Sequence, residues 1–258
     1  MKGIEGKRVI VTAGARGIGK SIAASYLDLG AKVAICDIDE ISLNEIQQDF
    51  PSLVTACADM SSLAQTDHFF DIVESQLGGI DIVINNAGIS GPTGNIEDIT
   101  LKDWKTCLSV NIDSLFLTAR RCIPLMKQQQ AGSIVNIAST AGLFAYPKRA
   151  PYAASKWAMI GLTKTLAMEC GEFGIRANAI APGSINNDRM DGVISREALV
   201  KKSSEQKIRE LYVKQTALRT FIDPVEIADM AIFLTSDLGK NISGQVIAVD
   251  GFAETLVN

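Results

Sequence analysis

The sequence predicts a single α/β domain in which helices cover both faces of a doubly wound parallel sheet. Seven short, apolar and often β-branched runs alternate along the chain with longer amphipathic stretches, and this alternation is typical of a parallel sheet. The length of 258 residues and a hydrophobic content of 47% suit one large core. We therefore expect residues 1–258 to form one domain.

The first predicted strand runs from Lys7 to Thr12 and leads into a glycine-rich turn, residues 13–19, before an amphipathic stretch. Glycines in such a turn let the main chain approach a pyrophosphate, and the N-terminus of the following helix supplies N–H donors. The alternative is that the glycines only start a helix. The candidate dinucleotide-binding residues of this turn are Gly14, Arg16, Gly17, Ile18 and Gly19.

The second predicted strand, residues 31–36, ends in Asp37, about where dinucleotide-binding folds place a carboxylate that binds the adenosine ribose. Asp37 would accept hydrogen bonds from the ribose hydroxyls and repel a 2′-phosphate. Its alternative role is a helix N-cap, for which Asp39 is also available. This carboxylate favours NAD over NADP.

Two further strands are predicted at residues 53–57 and 80–84. Asp59 follows the first of them and could be a plain N-cap for the next helix. After the second and a loop, Thr100 is expected to open a helix, with Asp103 at the capping-box position.

A phenol and an ammonium group stand four residues apart in a stretch that otherwise reads as a buried helix, residues 151–170. Tyr152 and Lys156 would share one helical face. A tyrosine with a pKa of about 10 is a poor acid or base at neutral pH, but a fixed positive neighbour lowers that pKa. Ser139 ends the fifth predicted strand, residues 132–139, at the edge where parallel sheets bind ligands. Tyr152 is thus a candidate general acid or base.

Ser139, Tyr152 and Lys156 at this spacing, with the glycine turn and Asn-Asn-Ala-Gly at residues 85–88, resemble the short-chain dehydrogenases/reductases. The resemblance covers the chain from about Lys7 to Gly251. It implies a Rossmann-type domain with strand order 3-2-1-4-5-6-7 that transfers hydride between a secondary alcohol or polyol and NAD or NADP.

The resemblance also assigns roles to individual residues. Asn111 would hold an ordered water near the lysine in a proton relay, although it could instead cap or kink a long helix. Asp59 would meet the adenine amino group. The implied catalytic residues are Ser139, Tyr152, Lys156 and Asn111; the implied cofactor residues, besides those of the glycine turn, are Asp37, Asp59, Met60, Asn86, Ala87, Gly88, Tyr152, Lys156, Pro182, Gly183 and Ile185.

Three positions depart from the usual pattern or oppose each other. Ala13 stands at the first glycine of the family's turn. Asn187 replaces the threonine that meets the nicotinamide amide, and it could still hydrogen-bond that amide. Arg16 is typical of NADP-preferring relatives, but we expect Asp37 to decide in favour of NAD.

The loop at residues 140–150 would border the substrate and carries Tyr146 and Arg149. Arg149 and Arg189 could pair with a carboxylate, sulfonate or phosphate of the substrate, or could be solvated surface arginines. Residues 188–215 are the most polar part of the chain and predict a mobile loop plus a helix that form a substrate lid. The helix at residues 151–170 is apolar nearly all round, which with the resemblance predicts a homotetramer or a dimer.

Composition excludes several other classes of function. A net charge of −4, a pI near 5.2 and the lack of a basic run argue against nucleic acid or anionic membranes as partners. The single His68 predicts no metal site. Five cysteines without a CxxC pair, read as reduced and buried, and no visible signal peptide or spanning helix predict a cytoplasmic protein.

Three alternative functions stay open at this point. A 3-oxoacyl carrier-protein reductase would use NADPH and place basic docking residues where this chain has Gln130 and Phe173. A non-catalytic dinucleotide sensor or scaffold would fit the fold but would not need Tyr152 and Lys156. An epimerase or dehydratase would need a longer C-terminal substrate domain.

Overall fold

The computed structural model describes residues 2–253, apart from the side chains of Arg189 and Val200. Within that range seven strands form one sheet in the order β3-β2-β1-β4-β5-β6-β7, and every neighbouring pair is parallel. The strands are β1 Arg8–Thr12, β2 Lys32–Asp37, β3 Val54–Cys57, β4 Ile82–Asn85, β5 Gly132–Ile137, β6 Ile175–Pro182 and β7 Val246–Val249. The expected strand order is confirmed.

Helices cover both faces of this sheet. They are α1 Gly17–Asp28, α2 Glu40–Asp49, α3 Leu63–Leu77, α4 Leu101–Leu108, α5 Ser114–Gln129, α6 Ala150–Cys170, α7 Asp188–Lys201, α8 Glu205–Lys214 and α9 Pro224–Thr235. Along β1, Val9 and Val11 belong to the buried cluster that includes Ile22 of α1 and Ile227 of α9. Ile10 lies in the cluster on the opposite face with Phe69 of α3. Because both faces are buried, ligands can reach the sheet at the ends of its strands.

Several helix ends follow the signals in the sequence. Thr100 caps α4 by accepting from the Asp103 N–H at 3.1 Å. α9 begins at Pro224 with a complete capping box between Asp223 and Glu226. α3 ends at Gly78, whose φ of 74° is the left-handed conformation that glycine adopts without strain.

The segment 188–215 corrects the prediction of a loop followed by one helix, because it contains the two helices α7 and α8. Asn187 caps the first through the Met190 N–H, and Ser204 caps the second through the Lys207 N–H. Ile194 of α7 packs against Ile208 of α8, and both are almost fully buried. The sparse apolar residues of this polar segment therefore lie on two faces that pack together.

Two other expectations concern the surface. Four cysteines are buried, but Cys57 is exposed because it ends the edge strand β3, so the reading of all five as buried is wrong.

α5 and α6 expose the apolar side chains of Phe116, Trp157 and Met168 to 56%, 53% and 86%. Across residues 2–253, no helix combines the length and apolarity needed to span a membrane.

Candidate functional site

A cavity of about 180 Å³ opens at the carboxyl ends of β4, β5 and β6, beside the N-terminus of α1. Parallel sheets place their ligands at this edge, because the turns that follow the strands gather there. The sequence-predicted residues that line it are Ile18, Asn86, Gly88, Ser139, Tyr146, Arg149, Tyr152, Lys156, Pro182, Gly183, Ile185 and Asn187. Residues from five predicted motifs, far apart in the chain, thus meet at one place.

Ser139 lies two residues beyond the end of β5 and starts a short 3₁₀ turn, residues 140–142. Its Oγ accepts from the Ala141 N–H at 3.1 Å. The main chain is extended at this residue, with φ −176°. The hydroxyl is held at the cavity wall by the turn that it caps, and it can still donate a hydrogen bond to a ligand.

Tyr152 and Lys156 are one turn apart on α6. The Lys156 side chain is only 4% exposed, and its Nζ donates to the Ile137 carbonyl at 2.8 Å. That ammonium nitrogen lies 5.7 Å from the centre of the Tyr152 ring. A buried positive charge at this distance favours the ionised form of a phenol.

Asn111 lies in a π-helical turn, residues 109–113, that joins α4 to α5. Its Oδ1 accepts from the Ile89 N–H at 2.8 Å, and its Nδ2 donates to Ser155 Oγ at 2.9 Å. A Cβ at Gly88 would lie 3.2 Å from Asn111 Oδ1 and 3.7 Å from Lys156 Nζ. Asn111 and Lys156 therefore lie close together, because Gly88 between them has no side chain. The helix is also locally π-helical at Asn111.

The glycine turn leaves no room for side chains at two of its positions. A Cβ at Gly14 would lie 2.6 Å from the Ile35 side chain, and a Cβ at Gly19 would lie 2.1 Å from the Ala13 carbonyl oxygen. α1 starts at Gly17, and the side chain of its N-cap, Arg16, makes no capping hydrogen bond. The first N–H groups of α1 can therefore donate to an anion, which fits a dinucleotide pyrophosphate.

This turn is held by Asn86, which follows the neighbouring strand β4, and by the buried Thr12 at the end of β1. Thr12 Oγ1 accepts from the Asn86 and Ala87 N–H groups at 3.0 and 2.9 Å, and Asn86 Nδ2 donates to the Ala13 carbonyl at 2.9 Å. Thr12 was not predicted as a site residue. Its only signal is a hydroxyl residue at the end of a buried strand, directly before the glycine turn.

Asp37 lies beside the glycine turn, where its Oδ2 accepts from the Ala15 N–H at 3.2 Å. Asp39, not Asp37, caps α2 by accepting from the Ser42 N–H. Arg16 forms an ion pair with Asp39 at 3.0 Å and also donates to Ser42 Oγ. Hydrogen bonds from Ser42, supported by the charge of Arg16, lower the pKa of Asp39.

Asp59 and Met60 lie outside the cavity wall, after the end of β3. Asp59 Oδ1 accepts from the N–H and the hydroxyl of Ser61 at 2.8 and 2.7 Å, which stabilises the turn before α3. Met60 is 4% exposed. The N-cap residue of α3 is Ser62, so Asp59 does not occupy that position.

The predicted substrate residues come from two sides. Tyr146 and Arg149 lie on the loop before α6 and line the cavity. Asn187 faces the glycine turn, because its Nδ2 would be 3.7 Å from a Cβ at Gly17, while its Oδ1 caps α7. The side chain of Arg189 lies outside the described part of the chain.

Eight further lining residues were not singled out in the sequence, namely Ser90, Ile137, Ala138, Thr140, Ser184, Met190, Val193 and Tyr212. Tyr212 of α8 donates to Glu197 Oε2 of α7 at 2.8 Å, and burial raises its pKa strongly. It reaches the cavity only because α7 packs on α8. Tertiary packing, not local pattern, brings it there.

Comparisons with known proteins agree with this geometry. A family model described as enoyl-(acyl carrier protein) reductase matches residues 12–251. The chain belongs to the short-chain dehydrogenase/reductase family. D-beta-hydroxybutyrate dehydrogenase of Cupriavidus necator is 33% identical, covering 96% of this chain and 98% of that protein. 3-Oxoacyl-[acyl-carrier-protein] reductase of Thermotoga maritima is 32% identical, with 96% and 98% covered.

A solved structure of NAD⁺-bound xylitol dehydrogenase superposes with a TM-score of 0.92 at 26% identity, covering 97% of this chain and 100% of that one. The predicted family, fold and class of enzyme are therefore confirmed. This short-chain dehydrogenase/reductase is an NAD(P)-dependent oxidoreductase that interconverts a secondary alcohol and a carbonyl.

Proposed function

We propose that this enzyme oxidises a small secondary alcohol or polyol with NAD⁺, or reduces the matching carbonyl with NADH, using Tyr152 as the proton-transferring group. One observation carries the proposal. The Ser139 hydroxyl, the Tyr152 phenol and the buried Lys156 ammonium line the same cavity as Ile18 at the start of α1. A reacting carbinol can therefore lie next to a proton acceptor and to the dinucleotide-binding turn at the same time.

Bound NAD⁺ supplies the acceptor for the hydride that leaves the carbinol carbon. Tyr152, as phenolate, takes the proton from the substrate hydroxyl, and Ser139 donates a hydrogen bond that fixes the substrate oxygen. Lys156 stabilises the phenolate and would bind the nicotinamide ribose. Asn111, across Gly88 from Lys156, would hold the water that returns the proton to solvent. In reduction, Tyr152 gives its proton to the carbonyl oxygen.

The preference for NAD rests on the groups around the end of β2. Asp37 lies at hydrogen-bonding distance from the glycine turn and would oppose a 2′-phosphate. Arg16, the residue that could attract that phosphate, is held by Asp39 and Ser42. The xylitol dehydrogenase structure, which is NAD⁺-bound, supports the same choice. Asp59, Met60 and Ile185 would complete the cofactor contacts.

Three further properties belong to this proposal. The polar segment that contains α7 and α8 serves as the substrate lid, since Tyr212 of α8 reaches the cavity wall. The enzyme assembles as a homotetramer through the apolar faces that α5 and α6 expose at Phe116 and Trp157. It works in the cytoplasm, as its reduced cysteines suggest.

A second candidate is a 3-oxoacyl carrier-protein reductase, which the similarity to the Thermotoga maritima enzyme favours. Gln130 and Phe173, at the positions where such enzymes would place basic docking residues, are uncharged. Asp37 also opposes the NADPH that this reaction would use. Lys127 provides a positive charge nearby, 4.2 Å from the centre of the Phe173 ring.

The test is NADH formation from NAD⁺ on a panel of secondary alcohols, polyols and hydroxy acids. Tyr152→Phe is expected to lower kcat by at least about 10³-fold, because the proton acceptor is lost, and to change dinucleotide affinity far less, because the other cofactor residues remain. The panel is repeated with NADP⁺ and with acetoacetyl thioesters. Full activity in Tyr152→Phe would disprove the assignment of this tyrosine, and reduction of thioesters alone with NADPH would favour the second candidate.

A further inference from the structure

Arg149 is a buried cation at the wall of the catalytic cavity. It is 8% exposed, and it lies on the loop directly before α6. Its Nη2 donates to the Ser90 carbonyl at 2.7 Å, but its Nε is buried and bonds to no group in residues 2–253. A buried guanidinium donor that no protein group accepts from is costly, and a ligand or a water must complete its hydrogen bonds.

No carboxylate neutralises Arg149 within the part of the chain that the structure describes. Glu197, which lines an adjoining cavity with Arg149, is bound by Lys201 at 2.6 Å and by the Tyr212 hydroxyl at 2.8 Å. Burial raises the pKa of Tyr146, although Arg149 acts in the opposite direction, so this neighbour is a neutral phenol at neutral pH. The positive charge is therefore uncompensated by the groups around it.

Arg149 is also close to the reacting position. Its guanidinium carbon lies 5.4 Å from the centre of the Tyr152 ring and 5.3 Å from that of Tyr146. It borders both the catalytic cavity and the adjoining cavity of about 670 Å³. An anion bound here would be a short distance from a hydroxyl that reacts at Tyr152.

We propose that Arg149 binds an acidic group of the substrate, so that the enzyme acts on short hydroxy acids and the corresponding oxo acids. This inference rests on the proposed function and deepens it. The guanidinium, 8% exposed, offers a carboxylate, sulfonate or phosphonate charge-assisted hydrogen bonds in a largely buried position. The Ser90 carbonyl and the ring of Tyr146 hold the guanidinium in place, which reduces the entropy lost on binding.

A competing role for Arg149 is electrostatic, because a second cation near Tyr152 would favour the phenolate with any substrate. The two roles differ in what the substrate must carry. An anion-binding residue affects acidic substrates alone, whereas a residue that acts on Tyr152 changes the pH profile for acidic and neutral substrates alike.

The experiment compares hydroxy acids with their amides, which match them in size and lack the charge. Lactate, β-hydroxybutyrate and γ-hydroxyvalerate give three spacings between carbinol and carboxylate. Native enzyme is expected to prefer one acid over its amide by at least about 100-fold in kcat/KM. Arg149→Met is expected to raise KM for that acid about 100-fold or more and to change amide turnover less than about threefold. Arg149→Lys keeps the positive charge but loses the planar, two-donor geometry of the guanidinium. Its KM for the acid should therefore lie between those of the native enzyme and Arg149→Met.

Lys32→Met is the control, since it removes an exposed positive charge at the start of β2, away from both cavities, and should alter KM by less than about threefold. Binding is measured separately as the rise in unfolding temperature that butyrate and butyramide give with NADH present. Butyrate should stabilise native enzyme and the Lys32 variant but not Arg149→Met. NADH affinity in every variant shows whether the variant is folded.

Equal losses for acid and amide in Arg149→Met, or a shifted pH profile with the amides, would overturn the inference in favour of the electrostatic role. Native enzyme that does not distinguish acids from amides would overturn it as well. Failure of the proposed function looks different: turnover would survive Tyr152→Phe, while the dependence of butyrate binding on Arg149 could still be read from the unfolding temperatures.

Discussion

The two halves of the carboxyl edge of the sheet differ in how their polar groups are satisfied. In the cofactor half, Asp37 accepts from the main chain of the glycine turn, Asn86 holds the Ala13 carbonyl, and Arg16 is paired with Asp39. In the substrate half, the buried Arg149 keeps an unsatisfied donor. The polar groups of the first half are therefore satisfied by the chain itself, whereas the second half keeps a buried donor that a bound ligand would satisfy.

The largest expected effect tests how far main-chain geometry determines the cofactor half. In Gly19→Ala the new methyl group would lie 2.1 Å from the Ala13 carbonyl oxygen, so the turn or the start of α1 must move. Dinucleotide affinity should fall about 100-fold or more, since both binding elements are displaced. Titration of NADH fluorescence measures this.

Gly161→Ala is the control, because a Cβ there meets nothing within 4 Å and the residue lies inside α6. It should leave NADH affinity unchanged and raise stability by about 0.5–1 kcal/mol. Unchanged affinity in Gly19→Ala would show that the cofactor half adapts as readily as the substrate half.

The second effect concerns the two carboxylates near the adenosine end. Asp37→Asn should lower the NAD over NADP preference in kcat/KM about 10- to 100-fold, because the repulsion of a 2′-phosphate is lost. Asp39→Asn retains a good N-cap for α2 but removes the ion pair with Arg16. It should therefore also lower the NAD over NADP preference, by a smaller factor. Steady-state kinetics with both cofactors measure the shifts. A larger effect of Asp39→Asn than of Asp37→Asn would mean that Arg16, rather than Asp37, determines the choice between NAD and NADP.

A third effect separates the halves from the substrate side. Ile208 is 1% exposed in the contact between α7 and α8, and Ile208→Ala should loosen that contact by about 2–4 kcal/mol. KM for substrate should rise about tenfold, since Tyr212 loses its support, while NADH affinity stays within about twofold. A similar loss of NADH affinity would mean that α7 and α8 support the cofactor half of the site as well as the substrate half.

The same division explains what the sequence could predict. The glycine turn, Asp37 and the pair of Tyr152 and Lys156 are local patterns on regular elements, so their positions follow once strand order is known. The sheet order itself was predicted correctly, because it follows from the resemblance to a family. Sequence placed Ser139 at the end of a strand, and the structure places it two residues beyond the end of β5, because that strand is strongly apolar and easy to locate.

What could not be predicted depends on contacts between distant segments. Tyr212 reaches the cavity through packing of α7 on α8, in a segment too polar to show a clear period. Arg149 could equally have been a solvated surface residue, and only its 8% exposure distinguishes the two interpretations. Whether Asp37 or Asp39 caps α2 depends on a shift of two residues in where the helix begins, and sequence patterns locate helix boundaries poorly.

The smallest effect comes from the one family glycine that this chain lacks. Ala13 has φ 50°, a left-handed conformation that costs an L-residue about 1–2 kcal/mol, whereas glycine adopts it freely. Thr12 and Asn86 hold the turn against this cost. Ala13→Gly should therefore raise the free energy of unfolding by about 0.5–1 kcal/mol, after the larger unfolded-state entropy of glycine is subtracted. Denaturant titration measures the gain, and NADH affinity should stay within about twofold, because the conformation of the turn is already the one that glycine would adopt. A loss of stability would instead mean that the Ala13 methyl group contributes more by packing than its conformation costs.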